Sequence, residues 1–153
     1  MSVSLSAMAT NAYTIYGNAG AGMEIPPAYQ CATPFGANTG GTNPAFWTVA
    51  NNAALGYAQF DSWLTVGLTD GDAAGALSSI GIDFESWTES TGLSVNDGAV
   101  FWMAPDNAPA GDSVVAQITV PTGASGTVAL GMQGRSPGAA EDWNADNVLF
   151  SYP

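Results

Sequence analysis

The residues "TDGDAAGALSSIGID", 69–83, carry the spacing of acids that is most typical of metal binding in this sequence. Asp70 and Asp72 stand at the first and third places of a loop with glycine at its sixth place, as in the calcium loop of an EF-hand. The fifth and twelfth places hold alanine and glycine, so the bidentate glutamate is missing and an EF-hand is excluded. Two interpretations stay open: a looser calcium site at Asp70 and Asp72, or a solvated turn that Asp and Gly favour. The acidic segment 139–147 would support calcium if the fold brought it close.

Two tryptophans lie among polar residues and could hold a sugar ring. Trp87 stands in "DFESWTES", and Trp143 stands in "EDWNADN" beside Asn144 and Asn147. An exposed indole stacks on the apolar face of a sugar, while carboxylates and amides bond its hydroxyls. Such rings are also typical anchors of protein interfaces, and burial in the core is the other interpretation of both. We therefore take Trp87, Trp143, Asn144 and Asn147 as a candidate carbohydrate-binding or interface site.

Catalysis is not expected from this sequence. It has no His and no Lys, so the usual general base and Schiff-base residues are missing. Asp83 and Glu85 could form a glycosidase-like pair, but chance pairs are common among 13 carboxylates. Cys31 is the one cysteine, so it forms no internal disulfide; we expect a buried, inert thiol, with an intermolecular bridge as the alternative. The sequence predicts a protein that is not an enzyme, with calcium as its one candidate cofactor.

The charge balance restricts the partners. One basic residue against 13 acids gives a net charge of -12, which excludes nucleic acid and anionic membrane surfaces because both require Lys or Arg. No run approaches the roughly 18 apolar residues of a membrane span, so no membrane insertion is expected. The first ten residues lack the basic and apolar blocks of a signal peptide. An acidic, lysine-free surface suits salty or calcium-containing surroundings, and compositional drift in a secreted protein explains it equally well; both favour an extracellular or cell-surface location.

Short β-branched and aromatic runs alternate with Gly, Asn, Asp and Pro clusters along the whole chain. We predict one all-β domain over 1–153, an antiparallel β-sandwich of jelly-roll or immunoglobulin-like type with about eight or nine strands. A long Gly/Pro-rich loop region, 17–44, is expected to be functional or to pack as its own unit. Residues 43–60 fit either a strand or a short helix capped by Asn43, with Pro44 at its first position. The candidate strands are 3–9, 12–17, 46–50, 62–69, 78–84, 99–104, 113–120, 126–134 and 147–152.

Three segments read together carry a resemblance: "FDSWLTVGLTDGD", "DGAVFWMAPDNAP" and "VVAQITVPTG" with the following "GMQGRS". Over residues 60–136 the chain resembles a β-rich module found, often in tandem, in extracellular or uncharacterised proteins of marine algae and aquatic bacteria. The resemblance implies a surface, matrix or shell role and brings no catalytic residues. The chain is also similar, in being β-rich, to the lattice-forming pyrenoid shell proteins of diatoms and haptophytes.

These observations favour a non-catalytic structural module that associates with copies of itself or with tandem neighbours in a surface, matrix or shell assembly. The predicted terminal strands, 3–9 and 147–152, could pair across subunits. The alternative is a carbohydrate-binding module with calcium as a candidate cofactor, glycans as partners and Trp87 and Trp143 as its platform.

Overall fold

The apolar runs of this chain form strands because β-branched and aromatic residues favour extended backbone, while the intervening Gly, Pro and Asn clusters favour turns. A computed structural model describes the backbone of residues 2–153 and the side chains from residue 11 onward. One short helix, α1 (Trp47–Ala50), and several 3₁₀ turns accompany the strands within this range. The strands are β1 (Ser2–Thr10), β2 (Ala12–Gly17), β3 (Met23–Ile25), β4 (Asn51–Asn52), β5 (Gly56–Tyr57), β6 (Trp63–Leu64), β7 (Leu77–Ile80), β8 (Leu93–Val95), β9 (Gly98–Trp102), β10 (Asp112–Thr119), β11 (Gly126–Gly134) and β12 (Trp143–Tyr152).

The strands form two main sheets and one small hairpin. The larger sheet has the order β7-β9-β2-β11-β3-β8, and β12 pairs with the opposite edge of β11. The smaller sheet has the order β1-β10-β6, and β4 pairs with β5 alone. Every pair of named strands in the described chain is antiparallel. The predicted all-β class with antiparallel sheets in a sandwich-like arrangement is confirmed. The choice between jelly-roll and immunoglobulin-like connections stays a prediction.

Apolar side chains from both main sheets share one buried cluster. Ile15 of β2, Leu130 of β11 and Val115 of β10 are inaccessible to solvent and belong to it. Trp102 of β9 is also buried there, and its indole N–H donates to the carbonyl of Val66 at 2.6 Å. Apolar burial therefore holds the two sheets face to face. It contributes roughly 25 cal/mol of stabilisation for each Å² of apolar surface that is removed from water.

A second, smaller cluster lies outside the sandwich core, in the region around α1. Its buried members are Cys31, Ala50 and Ala58, with the partly buried rings of Tyr29, Phe35 and Trp47 packed against them. Because the thiol is buried, the pKa of Cys31 is raised above its ordinary value, and the nearby Asp61 carboxylate raises it further. The predicted burial of the Cys31 thiol is confirmed, and its lack of reactivity stays a prediction.

Several predicted boundaries agree with the structure, and others do not. The predicted strands 12–17 and 126–134 have the observed limits of β2 and β11. Of the two alternatives for the segment that begins at residue 43, the short helix is confirmed and the strand 46–50 is wrong: Asn43 caps a helical turn by accepting from the Ala45 N–H at 2.9 Å, and Pro44 is its first residue. Strand 62–69 is reduced to β6, because Gly67 takes a positive φ of 88° that ends the extended backbone. Among the described residues, no helix has the length and apolar character needed to cross a bilayer.

Candidate functional site

Trp87 does not form part of a surface platform. Its side chain is 2% exposed, belongs to the main core, and donates its indole N–H to the carbonyl of Pro26 at 2.9 Å. The expectation of an exposed Trp87 is therefore wrong. The polar residues around Trp87 belong to a 3₁₀ turn, Phe84–Ser86, and to the bends that follow it. Their side chains are exposed to solvent, while the indole is buried.

Trp143 opens β12 and is half-buried. Its partner on β11 is Gly134, and a Cβ on that glycine would lie 2.5 Å from the indole, so the ring covers the glycine. Trp143 also packs against the main core. Asn144, the next residue, pairs with Gln133 and is exposed. One face of Trp143 is thus taken up by the sheet, which leaves it less ring surface for a ligand than the sequence suggests.

Asn147 has a conformational role in β12. Val148 pairs with Leu130 and Ala145 with Met132, so two residues of β12 oppose one residue of β11. This is a β-bulge, and Asn147 occupies it with φ of 53°, a left-handed conformation that Asn adopts more readily than most residues. Asn147 therefore has a backbone role in the bulge, and because its side chain is exposed, its place in a sugar or interface site stays a prediction.

The bulge directs Asp146 towards β2. The Tyr16 hydroxyl donates to the Asp146 carboxylate at 2.6 Å, and the Asn18 amide donates to the same oxygen at 3.1 Å. The Tyr16 ring crosses β11 over Gly131, where a Cβ would come within 2.4 Å of the ring. Burial and the Asp146 hydrogen bond together raise the pKa of Tyr16 to about 12.

A parallel arrangement holds Asp142. It accepts from the Tyr13 hydroxyl in a short contact and from Arg135 Nε at 2.7 Å, while Arg135 also lies 3.5 Å from Asp106. The Tyr13 hydrogen bond, followed by that of Arg135, lowers the pKa of Asp142. Burial, followed by the Asp142 hydrogen bond, raises the pKa of Tyr13 to about 12. The one cation of the sequence is thus engaged by two carboxylates.

The Asp70–Asp72 loop has the contacts of a turn. The two carboxylate oxygens of Asp72 accept from the N–H groups of Ala76 and Leu77, each at 2.8 Å. Asp70 is exposed. Within the part of the chain that the structure describes, no three acidic, His or Cys residues converge on one point where a metal ion could sit. Calcium at Asp70 and Asp72 stays a prediction, while the contacts assign Asp72 to closing the turn.

An open groove of about 480 Å³ lies between the sandwich and the α1 region. Its walls carry the aromatic rings of Tyr29, Tyr57 and Phe60, with Glu89 and Thr119 among the polar residues. Tyr57 is 43% exposed and Phe60 is 42% exposed, values that are high for such large apolar side chains. The groove therefore presents ring surface to solvent, which Trp87 does not.

Hydrogen bonds to the sandwich fix the rings of this groove. The Tyr29 N–H donates to the Thr119 carbonyl at 2.8 Å, and the Tyr29 carbonyl accepts from Ser62 at 3.1 Å. The Tyr29 hydroxyl accepts from the N–H of Tyr57 at 2.9 Å, which ties the two tyrosines together. The Gln117 amide donates to the Asp61 carbonyl at 2.7 Å and to the Gln59 carbonyl at 3.1 Å, one on each side of Phe60. These contacts hold the backbone of the groove in place before any ligand arrives.

Asp61 anchors the loop behind the groove. Its carboxylate is fully buried and accepts from the N–H groups of Cys31 and Ala37, each at 2.7 Å. Burial raises the pKa of Asp61 to about 6, although these backbone hydrogen bonds pull it in the other direction. The carboxylate thus connects residues 31–37 to the strand segment that begins β6.

The sequence does indicate this region, but by its lack of charged residues and not by a motif. No Asp, Glu, Lys or Arg occurs in residues 25–60, whereas the whole chain has 13 acids. The exposed large apolar side chains concentrate in the same stretch, in a set that we call the uncharged face: Phe46, Val49, Leu55, Tyr57 and Phe60. Asn and Gln side chains, including Asn51 and Gln59, supply its polar groups. A charge-free interval in an acidic chain would have pointed to this surface.

Comparison with known proteins identifies no relative of this chain. No protein-family model matches the sequence, no curated protein is significantly similar to it, and no solved structure matches its fold. The resemblance to modules of marine algae and aquatic bacteria therefore stays a prediction.

Proposed function

We propose that this protein is a non-catalytic carbohydrate-binding module whose ligand lies in the groove formed by Tyr29, Tyr57 and Phe60. The observation that carries the proposal is that two exposed rings from the charge-free interval, Tyr57 and Phe60, line the same groove as Tyr29. The function agrees with the alternative drawn from the sequence, but the residues are different ones. An extracellular or cell-surface setting belongs to the same proposal, since polysaccharides are displayed there.

The chemistry of the groove suits a sugar better than an anionic or purely apolar ligand. The C–H faces of a pyranose pack on aromatic rings, and its hydroxyls bond amides and carboxylates. In the groove, the hydroxyl groups of Tyr29, Tyr57 and Thr119 and the Glu89 carboxylate are the side-chain groups that can bond sugar hydroxyls. A net charge of -12 repels sulfated and uronic acid polymers. The Tyr29 ring is held beforehand by its hydroxyl on the Tyr57 backbone N–H, which reduces the entropy that binding must overcome.

Isothermal titration calorimetry with a panel of oligosaccharides tests this function. Tyr57→Ala and Phe60→Ala should each weaken binding by about 1 kcal/mol, roughly a fivefold loss. The control is Ile80→Ala, which removes an exposed apolar side chain from β7, outside the groove. Binding that survives both ring substitutions, or that falls as much in the control, would place the ligand elsewhere. A panel with no binder at all would overturn the function.

Association through strand edges is the second candidate function. It is favoured by the position of β1 and β12 at the edges of their sheets. β1 is an outer strand of the smaller sheet, and β12 runs along the outer edge of β11 in the larger sheet. An edge strand presents backbone donors and acceptors with which a second copy or a tandem neighbour can pair. Leu149, which is 58% exposed on β12, adds an apolar contact. This arrangement would serve a matrix or shell assembly.

Sedimentation velocity over a concentration series, with calcium and with chelator, separates the two candidates. Edge association predicts species that grow with concentration without any sugar, and that are reduced by Leu149→Asp. Loss of those species in chelator would place a cation at the contacts. A monomer at every concentration contradicts edge association for this chain and leaves glycan binding unaffected.

A further inference from the structure

One charged group stands among the rings of the groove. Glu89 is exposed and lines the groove together with Tyr29, Tyr57 and Phe60, and no other residue of the lining is charged. The one basic residue, Arg135, cannot offset it there, because it is held by Asp142 and Asp106. A carboxylate beside several aromatic rings is an environment that favours a cation over a neutral or anionic group.

We propose that the groove selects glycans that carry a protonated amine, as in glucosamine units, over neutral and acidic glycans. This inference rests on the proposed carbohydrate-binding function and specifies its ligand class. The ammonium group pairs with the Glu89 carboxylate, while the sugar ring lies on the aromatic walls. The ring faces add an attraction for the cation, because the electron-rich face of Tyr or Phe attracts a positive charge within about 6 Å.

Charge on the whole molecule reinforces the same preference. With a net charge of -12, the protein attracts cationic polymers and repels anionic ones at a distance. That attraction acts on any cation and is screened by salt, whereas the contact with Glu89 depends on geometry. A test must therefore separate the local carboxylate from the overall field, and the sequence supplies a matched residue for this purpose.

Asp97 is the matched control. It is exposed, lies in the segment between β8 and β9, and is not part of the groove lining. Glu89→Gln and Asp97→Asn each remove one negative charge from an exposed position, so they change the net charge equally. Only Glu89→Gln removes a carboxylate from the lining of the groove.

The experiment is calorimetric titration of the full chain with glucosamine tetramer, N-acetylglucosamine tetramer, glucose tetramer and spermidine, at a pH where the sugar amine is protonated. We expect the glucosamine tetramer to bind at least tenfold more tightly than its N-acetylated counterpart. Glu89→Gln should remove most of that preference and leave the affinity for the N-acetylated sugar unchanged. Asp97→Asn should keep the preference, and spermidine should bind much more weakly than the amino sugar.

The possible failures are distinguishable. Equal binding of the amino and N-acetylated sugars overturns the inference and leaves the glycan-binding function intact. Equal losses in Glu89→Gln and Asp97→Asn, or spermidine binding as tight as that of the amino sugar, would show attraction by charge alone and also overturn it. No binding of any sugar overturns the glycan-binding function itself. Circular dichroism of both variants checks that they fold.

Discussion

The aromatic rings of β2 and β12 and those of the uncharged face stand in opposite environments. Tyr13 and Tyr16 donate their hydroxyls to Asp142 and Asp146, and Trp143 covers Gly134. In the uncharged face, Tyr57 and Phe60 keep more than two fifths of their surface exposed. The first set is closed by carboxylates and by the sheet, and the second set is open to a ligand.

The difference shows what an acidic neighbour does to a ring in this protein. Acids beside Trp143 in the sequence suggested a sugar platform, yet the same segment supplies the carboxylates that fix the tyrosines of β2 to β12. Residues 25–60 contain no acid, and there Phe46, Tyr57 and Phe60 stay exposed while Tyr29, Phe35 and Trp47 are partly buried. The most exposed rings of the described residues thus come from the interval that lacks charge.

Removing one ring from the main core and one from the uncharged face should give the largest contrast. Trp87→Ala leaves a cavity in the main core and should lower the free energy of unfolding by about 4 kcal/mol. Tyr57→Ala should change it by less than about 0.5 kcal/mol, because Tyr57 is largely exposed and offers its backbone N–H, not its ring, to Tyr29. Urea unfolding of both variants measures the difference. Similar losses would mean that the uncharged face is part of the core.

The buried carboxylate behind the groove should give the next largest effect, as a pH dependence. The pKa of Asp61 is about 6 in the folded protein and 3.8 when unperturbed, so at intermediate pH the folded protein holds a proton that the unfolded chain has lost. The free energy of unfolding should therefore fall by about 3 kcal/mol as the pH rises from about 4 to above 6.

Asp61→Asn isolates this effect. The difference in unfolding free energy between the original chain and the variant should decrease over that pH interval. Asp142, whose pKa is lowered, acts with the opposite sign at more acidic pH and is present in both proteins, so it cancels. A difference that is flat or rises with pH would contradict the assignment.

The contact between Gly131 and Tyr16 should give a moderate effect. Gly131→Ala places a Cβ against the Tyr16 ring and should destabilise the protein by about 2 kcal/mol, while sugar binding by the folded variant is unchanged. Gly20→Ala is the control, since a Cβ there meets its nearest neighbour at an ordinary 3.5 Å. Thermal unfolding of both variants compares them, and equal transition temperatures would argue against the close packing of Tyr16 on β11.

The smallest expected effect concerns the ion pair at the end of β11. Arg135→Gln removes an exposed pair, and such pairs contribute little to stability. The pKa of Asp142, followed by NMR, should rise in this variant and also in Tyr13→Phe, because the Tyr13 hydrogen bond and the hydrogen bond and charge of Arg135 all lower it. A pKa of Asp142 that is unchanged in either variant would contradict the corresponding contact.

Much of the sandwich could be predicted because its long strands have strong patterns. β2, β10 and β11 contain six or more residues with apolar positions facing the core, and their predicted limits were within a residue of those observed. β3 and β8 have three residues each and escape detection, because alternation cannot be recognised over so short a run. They exist because each pairs with the other at the sheet edge, a tertiary contact that sequence does not show.

The candidate site was less predictable for a physical reason. Whether Trp87 is exposed depends on the direction of its side chain, and the polar residues of its 3₁₀ turn gave no information about that direction. The groove brings Tyr29, Tyr57 and Phe60 together with Glu89, which is distant from them in sequence. Backbone hydrogen bonds connect Tyr29 to Thr119 of β10 and to Ser62 before β6, and these tertiary contacts are not visible in the sequence. Only the absence of charge in residues 25–60 was visible beforehand.

The bulge at Asn147 also bears on how this protein remains dissolved. Its isoelectric point is about 4.1, where the mutual repulsion of 13 acids disappears and molecules can approach freely. β12 would then be a template for precipitation by strand stacking, but the bulge bends the strand and interrupts its outward backbone groups. An incoming strand could form a continuous ladder only on one side of the bulge, over residues 143–146 or 148–152. Where the net charge vanishes, the bulge at Asn147 therefore limits pairing along this edge to short ladders.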